Sequence, residues 1–151
     1  MIVLRNVPAE TERPLEYGPP APVDIFQHAW EFEKLLDLYR VRPPWHVLEV
    51  GTYHGGTLYH WLQNGNPAVV VSVDSYGVGV DNRHLYDEWK FGKAAKLTVL
   101  EGDSREKGTI NRVRELGPYD FVLIDAGHFY NEVKADWENY RPMVAPDGIM
   151  C

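Results

Sequence analysis

Short apolar runs that end in a glycine or an acid alternate along this chain with stretches whose apolar residues recur every three or four positions. Val47, Leu48 and Val50 form the first run, which reads as a buried strand, with Glu49 interrupting it one residue before the apolar pattern gives way to Gly51. The chain turns through Gly55 and Gly56 into LYHWLQN, where Leu58, Trp61 and Leu62 fall at helical spacing, and Asn64-Gly65-Asn66-Pro67 stops that helix. AVVVSVD is the next strand, a nearly continuous β-branched run of the kind buried on both faces of a parallel sheet, and it finishes on Asp74. A glycine-rich loop, SYGVGVDN, leads to a helical pattern over HLYDEWKFGKAAK that Gly92 weakens. LTVLEGD (97–103) is a third strand closing on Gly102-Asp103. SREKGTINRVREL is an amphipathic helix with Ile110, Val113 and Leu116 inward, ended by Gly117-Pro118. YDFVLIDAGH holds a fourth strand ending at Asp125, and YNEVKADWENYRPMV a helix with Val133, Trp137 and Tyr140 on one face. Pro146-Asp147-Gly148 reads as a turn, after which Ile149-Met150-Cys151 begins a fifth strand.

Upstream of this alternation, Asp24 and Gln27 resemble a capping box with Asp in place of Ser or Thr. They open a helix, DIFQHAWEFEKLLDLYR, with Phe26, Ala29, Trp30, Leu35, Leu36 and Tyr39 on a broad apolar face, and Arg42, Pro43 and Pro44 end it. Residues 1–23 contain Pro8, Pro14, Pro19, Pro20 and Pro22 with little periodicity, and the expectation is an extended arm on the domain or on a partner subunit, or a loosely ordered tail. The division is therefore an arm, 1–23, and one folded domain, 24–151.

Strands alternating with helices specify an α/β fold with a parallel sheet, and right-handed crossovers place helices on both faces. Ligands of such folds sit outside the carboxyl ends of the strands. Here those ends carry Glu49 and Gly51, Asp74, Asp103 and Asp125. Carboxylates there accept hydrogen bonds from hydroxyls, amines and cations, whereas a phosphate-binding loop wants the opposite sign. GTYHGGT also lacks the Lys-Ser/Thr of a P-loop and the spacing of G-x-G-x-x-G. The ligand reads as a nucleoside with a cationic or neutral tail. The missing Cβ atoms of the glycine turn let backbone approach it closely.

Composition narrows the partners. The 151 residues are enough for one domain with a real core, and 44% apolar with 25% charged residues is ordinary for a globular chain. A formal net charge of −7 without a basic stripe disfavours nucleic acid and anionic membranes. The single cysteine excludes an intrachain disulfide, and no apolar run reaches transmembrane length. The N-terminal stretch lacks the layout of a secretion signal, so a cytoplasmic location is the expectation.

The order E-x-G-x-x-x-G-G-T, an acid ending the next strand, G-D after the third and I-D-x-x-H-x-Y after the fourth resembles the class I S-adenosylmethionine-dependent methyltransferases. Within them it is most similar to the small-molecule O-methyltransferase and cephalosporin-hydroxylase-like group, over His46 to Cys151. The resemblance implies a Rossmann-like, doubly wound sheet of about five parallel strands in the order 3-2-1-4-5, S-adenosyl-L-methionine as cofactor, and methyl transfer to a hydroxyl of a small-molecule acceptor. It implies that Glu49 and Gly51 contact the methionine part of the cofactor while Gly55 and Gly56 give room for its pocket. Asp74 would hold the ribose hydroxyls, Asp103 with Ser104 the adenine amino group, and Asp125 would lie beside the methyl-donating centre. His128 and Tyr130 are the candidates for acting on the acceptor. A hydroxyl nucleophile must lose its proton, and imidazole titrates in the right range for a general base, so Asp125 and His128 are the catalytic expectations. His54 reads as backbone support or pocket lining, and Tyr76 or Trp89 as an aromatic lid.

The chain also departs from that group. Gly127 stands where relatives carry a further acid, and a hard cation needs several oxygen ligands, so no protein-built metal site is expected. The family's last two strands, an antiparallel hairpin, have no counterpart in the sequence. An open strand edge can be paired with another subunit, covered by the proline-rich arm or short enough to be harmless, and the first, a homo-oligomer, is the expectation. The absence of those strands also supports an alternative reading, a catalytically inactive module that binds the nucleoside or serves in assembly.

Overall fold

The computed structural model describes residues 23, 25–77, 81–89 and 95–151. The proline-rich arm through residue 22 and Asp24 of the expected capping box lie outside the described residues. Five parallel strands form one sheet, β1 (His46–Val50), β2 (Val69–Asp74), β3 (Lys96–Glu101), β4 (Tyr119–Ile124) and β5 (Val144–Met150), in the order β3-β2-β1-β4-β5. The parallel α/β sheet is the one expected from the alternation of strand and helix, and its strand order is the Rossmann-like one the resemblance implied. β1 is central: Leu48 faces Val71 on one side and Val122 on the other, and Glu49 faces Ser72 and Leu123.

Period-two alternation along the strands divides the core between the faces. On one face Val47, Val70, Phe121 and Leu123 meet α1 (Ala29–Val41), α2 (Gly56–Gln63) and α3 (Tyr86–Trp89) through Phe32, Leu36, Tyr39, Leu58, Trp61 and Trp89. On the other, Leu48, Val50, Val71 and Val122 meet α4 (Lys107–Leu116) and α5 (Tyr130–Tyr140) through Ile110, Val113 and Tyr140. The buried hydroxyls of Tyr39 and Tyr140 find main-chain acceptors, on Trp61 and Ser104, which lets those polar atoms sit inside at no net loss of hydrogen bonding.

Several expectations are corrected. α1 begins at Ala29, with His28 as its N-cap and no side-chain cap, because the Gln27 amide donates instead to Asp125. Its inward stripe is Phe32, Leu36 and Tyr39, while Phe26 precedes the helix and is exposed, as is Ala29. The helix expected over 84–96 is described as a 3₁₀ turn, Arg83–Leu85, followed by α3, with Lys96 already in β3 and residues 90–94 outside the described set. Trp89 is packed in the core and is no lid. In α5 the buried positions are Asp136 and Tyr140, whereas Val133 and Trp137 are partly exposed. β5 starts at Val144, not Ile149: Tyr119 pairs with Val144 and Phe121 with Ile149, so Pro146-Asp147-Gly148 is a bulge inside the strand. A proline has no N–H to donate, and a bulge in an edge strand accommodates it.

Candidate functional site

The cleft forms where β1 and β4 finish side by side. Gly51 has φ +95°, and its N–H reaches back to the Val73 carbonyl while Asp125 N–H donates to the Val50 carbonyl. A Cβ on Gly51 would overlap the Asp125 carbonyl, so only glycine permits this approach. The result is a cleft of about 480 Å³ at the carboxyl ends of the strands, lined by the expected Gly51, Asp74, Asp103, Ser104, Asp125 and His128. Phe26, Tyr53, Arg105, Glu132 and Asp136 line it as well, and sequence reasoning had missed them.

The remaining expected residues stand elsewhere. Glu49 is fully buried beneath the cleft, where Oε1 accepts hydrogen bonds from the Thr57 hydroxyl (2.5 Å) and the Trp61 indole N–H (2.9 Å) and Oε2 has no partner. Burial pushes its pKa up to about 8, against the lowering effect of Thr57 and Trp61. Gly55 (φ +88°) caps α2, and a Cβ there would meet the rings of Trp89 and Tyr86, so this glycine serves the packing of α3 on the loop. Gly56 and His54 line a smaller adjoining recess with Thr52 and Thr57. Tyr130 is 78% exposed and turned away from the cleft lining.

The acids of the rim differ in what already holds them. Asp74 Oδ2 accepts the backbone N–H groups of Thr52 and Tyr53, both at 2.8 Å, and Oδ1 accepts that of Tyr76 at 2.7 Å. Tyr53 and Tyr76 are themselves left-handed, at φ +49° and +52°, so this carboxylate pins two strained residues. A carboxylate has about four lone-pair positions, which leaves Asp74 one for a ligand. Asp103 is gripped by Arg105 through both oxygens, at 3.0 Å each, and the guanidinium and the Arg105 N–H lower its pKa. Arg105 also reaches Glu132 at 3.1 Å. Asp125 accepts from Gln27 at 2.5 Å; burial raises its pKa, and His128 and Gln27 oppose that. Glu132 accounts for Gly127, since a Cβ at 127 would fall 2.5 Å from Glu132 Cβ and 2.6 Å from its Oε2.

Aromatic rings stand beside the acids. The Tyr53 and His54 rings stack at 3.9 Å, and Phe26 meets them edge-on at 4.9 and 5.5 Å. Among the described residues no group of three or more His, Cys, Asp or Glu is arranged to hold a metal ion, and no helix is long and apolar enough to cross a membrane. A ring of hydrogen-bond acceptors, a glycine that admits close backbone approach and an apolar wall suit a ligand rich in hydroxyl and amine donors with a cationic centre.

A doubly wound sheet with its cleft at this place is shared by many enzymes, and comparison of the chain itself narrows the class. The family described as a methyltransferase domain matches residues 48–151, and the chain belongs to that family. Among solved structures it is similar to the MycE methyltransferase of the mycinamycin biosynthetic pathway, captured with Mg, S-adenosylhomocysteine (SAH) and mycinamycin VI. The identity there is 24%, the TM-score 0.61, and the match covers 85% of this chain and 33% of that one. A candidate caffeoyl-CoA O-methyltransferase from Staphylococcus aureus is 19% identical with a TM-score of 0.62, over 85% of this chain and 58% of that one. SAH-bound PaMTH1 of Podospora anserina is 20% identical with a TM-score of 0.58, over 83% and 52%. At these identities the likeness is one of fold, and the chain spans about a third to rather more than half of each neighbour's length. No curated protein sequence matches it.

Proposed function

We propose that this chain binds S-adenosylmethionine in the cleft and transfers its methyl group to a hydroxyl of a small molecule. The observation that carries the reading is the convergence of Gly51, Asp74, Asp103 and Asp125, one from each of four neighbouring strand ends, on one cleft. Family membership over residues 48–151 and solved neighbours holding SAH support it.

When bound, S-adenosylmethionine supplies an electrophilic methyl group, whose C–S bond breaks as an acceptor oxygen forms its O–C bond. The protein's part is alignment and proton management. The open lone pair of Asp74 Oδ1 accepts a ribose hydroxyl, and Gly51 keeps that wall bare. Asp103 and Ser104 flank the nucleobase end. Asp125, on the border of the acid and aromatic walls, faces the sulfonium side, and its negative charge favours a cation there. His128, exposed at the mouth and lining the cleft, takes the proton of the acceptor hydroxyl. Phe26 and Tyr53 shield the acceptor side from water.

Isothermal titration with S-adenosylmethionine and SAH tests the reading. Both should bind wild type, and Asp74→Ala should weaken both by about thirtyfold or more, the loss of roughly 2 kcal/mol or above expected on removing one partner of a charge-assisted contact. Absence of heat with either nucleoside would reject the function, and equal affinity in the variant would reject the ribose contact.

A further inference from the structure

Asp136 lies on α5, one turn beyond Glu132, and lines the nucleobase end of the cleft with Ser104 and Arg105. It is 1% exposed, and neither carboxylate oxygen has a hydrogen-bond partner. A buried carboxyl left without partners is costly, so a native chain that keeps one in a cleft wall calls for a ligand that completes it. Burial raises its pKa, and the nearby Ser104 hydroxyl and Arg105 guanidinium only partly oppose that. The neighbouring Asp103, the acid expected to take the nucleobase amine, already has both oxygens on Arg105. Of the three acids around Arg105, Asp103 and Glu132 are ion-paired to it, and the Asp136 oxygens alone are without a hydrogen-bond partner.

We propose that Asp136 is the nucleobase-specificity residue of the cleft: one of its carboxyl oxygens accepts the exocyclic amine of the cofactor's adenine, entering between the β3–α4 turn and α5. This rests on the cofactor reading above and names the residue that would distinguish a 6-amino purine from one without the amine. Arg105 ion-pairs with both Asp103 and Glu132, and its side chain is 46% exposed. On this proposal Asp103 holds Arg105, and the amine goes to Asp136.

The test is a cycle between the ligand's amine and the residue, which isolates the contact from general damage. Titrations compare SAH with its 6-deamino purine analogue on wild type, Asp136→Ala and Asp136→Asn, each checked by thermal melting. Wild type should lose roughly 10- to 100-fold in affinity with the amine, the range for a hydrogen bond to a charged or strongly polarised acceptor. Asp136→Ala should bind the two nucleosides equally, and Asp136→Asn, which keeps an acceptor oxygen, should restore part of the preference. Because Asp136 has no partner to lose, the ligand-free Asp136→Ala protein should melt no lower than wild type. The proposal is overturned if wild type binds both nucleosides alike, if Asp136→Ala keeps the wild-type preference, or if it melts lower and loses both affinities equally, as a purely structural residue would. Failure of wild type to bind either nucleoside overturns the cofactor reading itself, and this proposal with it.

Discussion

The main-chain carbonyl of Asp125 occupies the space that a Cβ on Gly51 would need, and Gly51 itself holds φ +95°. Two penalties therefore meet in Gly51→Ala: left-handed strain of about 1–3 kcal/mol and overlap with a main-chain atom of similar size. A loss of roughly 2–5 kcal/mol is expected, read as a lower urea midpoint at unchanged m. Gly108→Ala in α4 is the control, because a Cβ there meets nothing within 4 Å. It should be neutral or stabilising by up to about 1 kcal/mol. Equal midpoints for Gly51→Ala and wild type would mean that β1 and β4 do not finish in contact.

Glu49 gives the fold a pH dependence whose sign follows from its burial. The native carboxyl, with a pKa pushed up to about 8, keeps its proton over the interval from the ordinary value of 4.5, where the unfolded chain has already lost it. The native state binds more protons across that window, so stability falls as pH rises through it. Glu49→Gln keeps an acceptor oxygen for Thr57 and Trp61 and cannot ionise. Its stability relative to wild type should improve steadily from pH 5 to pH 8, by an amount on the order of a few kcal/mol. Urea midpoints at several pH values check this, and parallel curves for the two proteins would rule out a protonated Glu49.

What could be read in the chain beforehand was what local pattern controls. The β-branched run before Asp74 and the apolar run before Asp125 mark strand ends because their short length and β-branched or aromatic residues favour strand, and both acids do line the cleft. Harder to read was anything decided by a distant partner. Gln27 mimics a helix cap at three residues from Asp24, yet its amide is taken by Asp125, 98 positions away. Glu49 sits next to the glycine turn, yet alternation along β1 turns it toward Trp61 rather than the cleft. The apolar pattern of α5 points to Trp137, although Val133, Asp136 and Tyr140 share the i, i+3, i+7 stripe of one helix face. An acid on an apolar stripe is the one local signal that could have singled it out.

His60 is a core residue that the fold tolerates at some expense. Its ring is 1% exposed, both nitrogens lack partners, and it packs edge-on against Phe32 (5.1 Å) and Tyr59 (5.5 Å). Burial first, and the charge of Arg40 second, lower its pKa from 6.5 to about 4. Between those values the unfolded chain takes up a proton that the native state refuses, so stability is lost as pH falls through that interval. His60→Leu, of similar size and apolar, should gain roughly 1–2 kcal/mol over wild type at pH 5 and less at pH 7. Thermal melts at the two pH values measure the difference, and a variant that is less stable at both would show that the imidazole has a partner in solution.

The Gln27–Asp125 contact joins the segment before α1 to the end of β4, at 2.5 Å between Nε2 and Oδ2. Burial raises the Asp125 pKa, while the charge of His128 and the Gln27 amide hold it down. Gln27→Leu removes a donor to the ionised form without emptying the space, so the Asp125 pKa should climb further, and His128→Gln should move it the same way by a larger step. Carbon-detected NMR of the Asp125 carboxyl reads both shifts directly, with no need for a known acceptor. The stacked Tyr53 and His54 rings should keep Phe26 in place in Gln27→Leu, because that aromatic contact is independent of the amide. A titration curve for Asp125 that does not move in Gln27→Leu would mean that the segment before α1 leaves the cleft wall in solution, and with it the aromatic side of the proposed acceptor site.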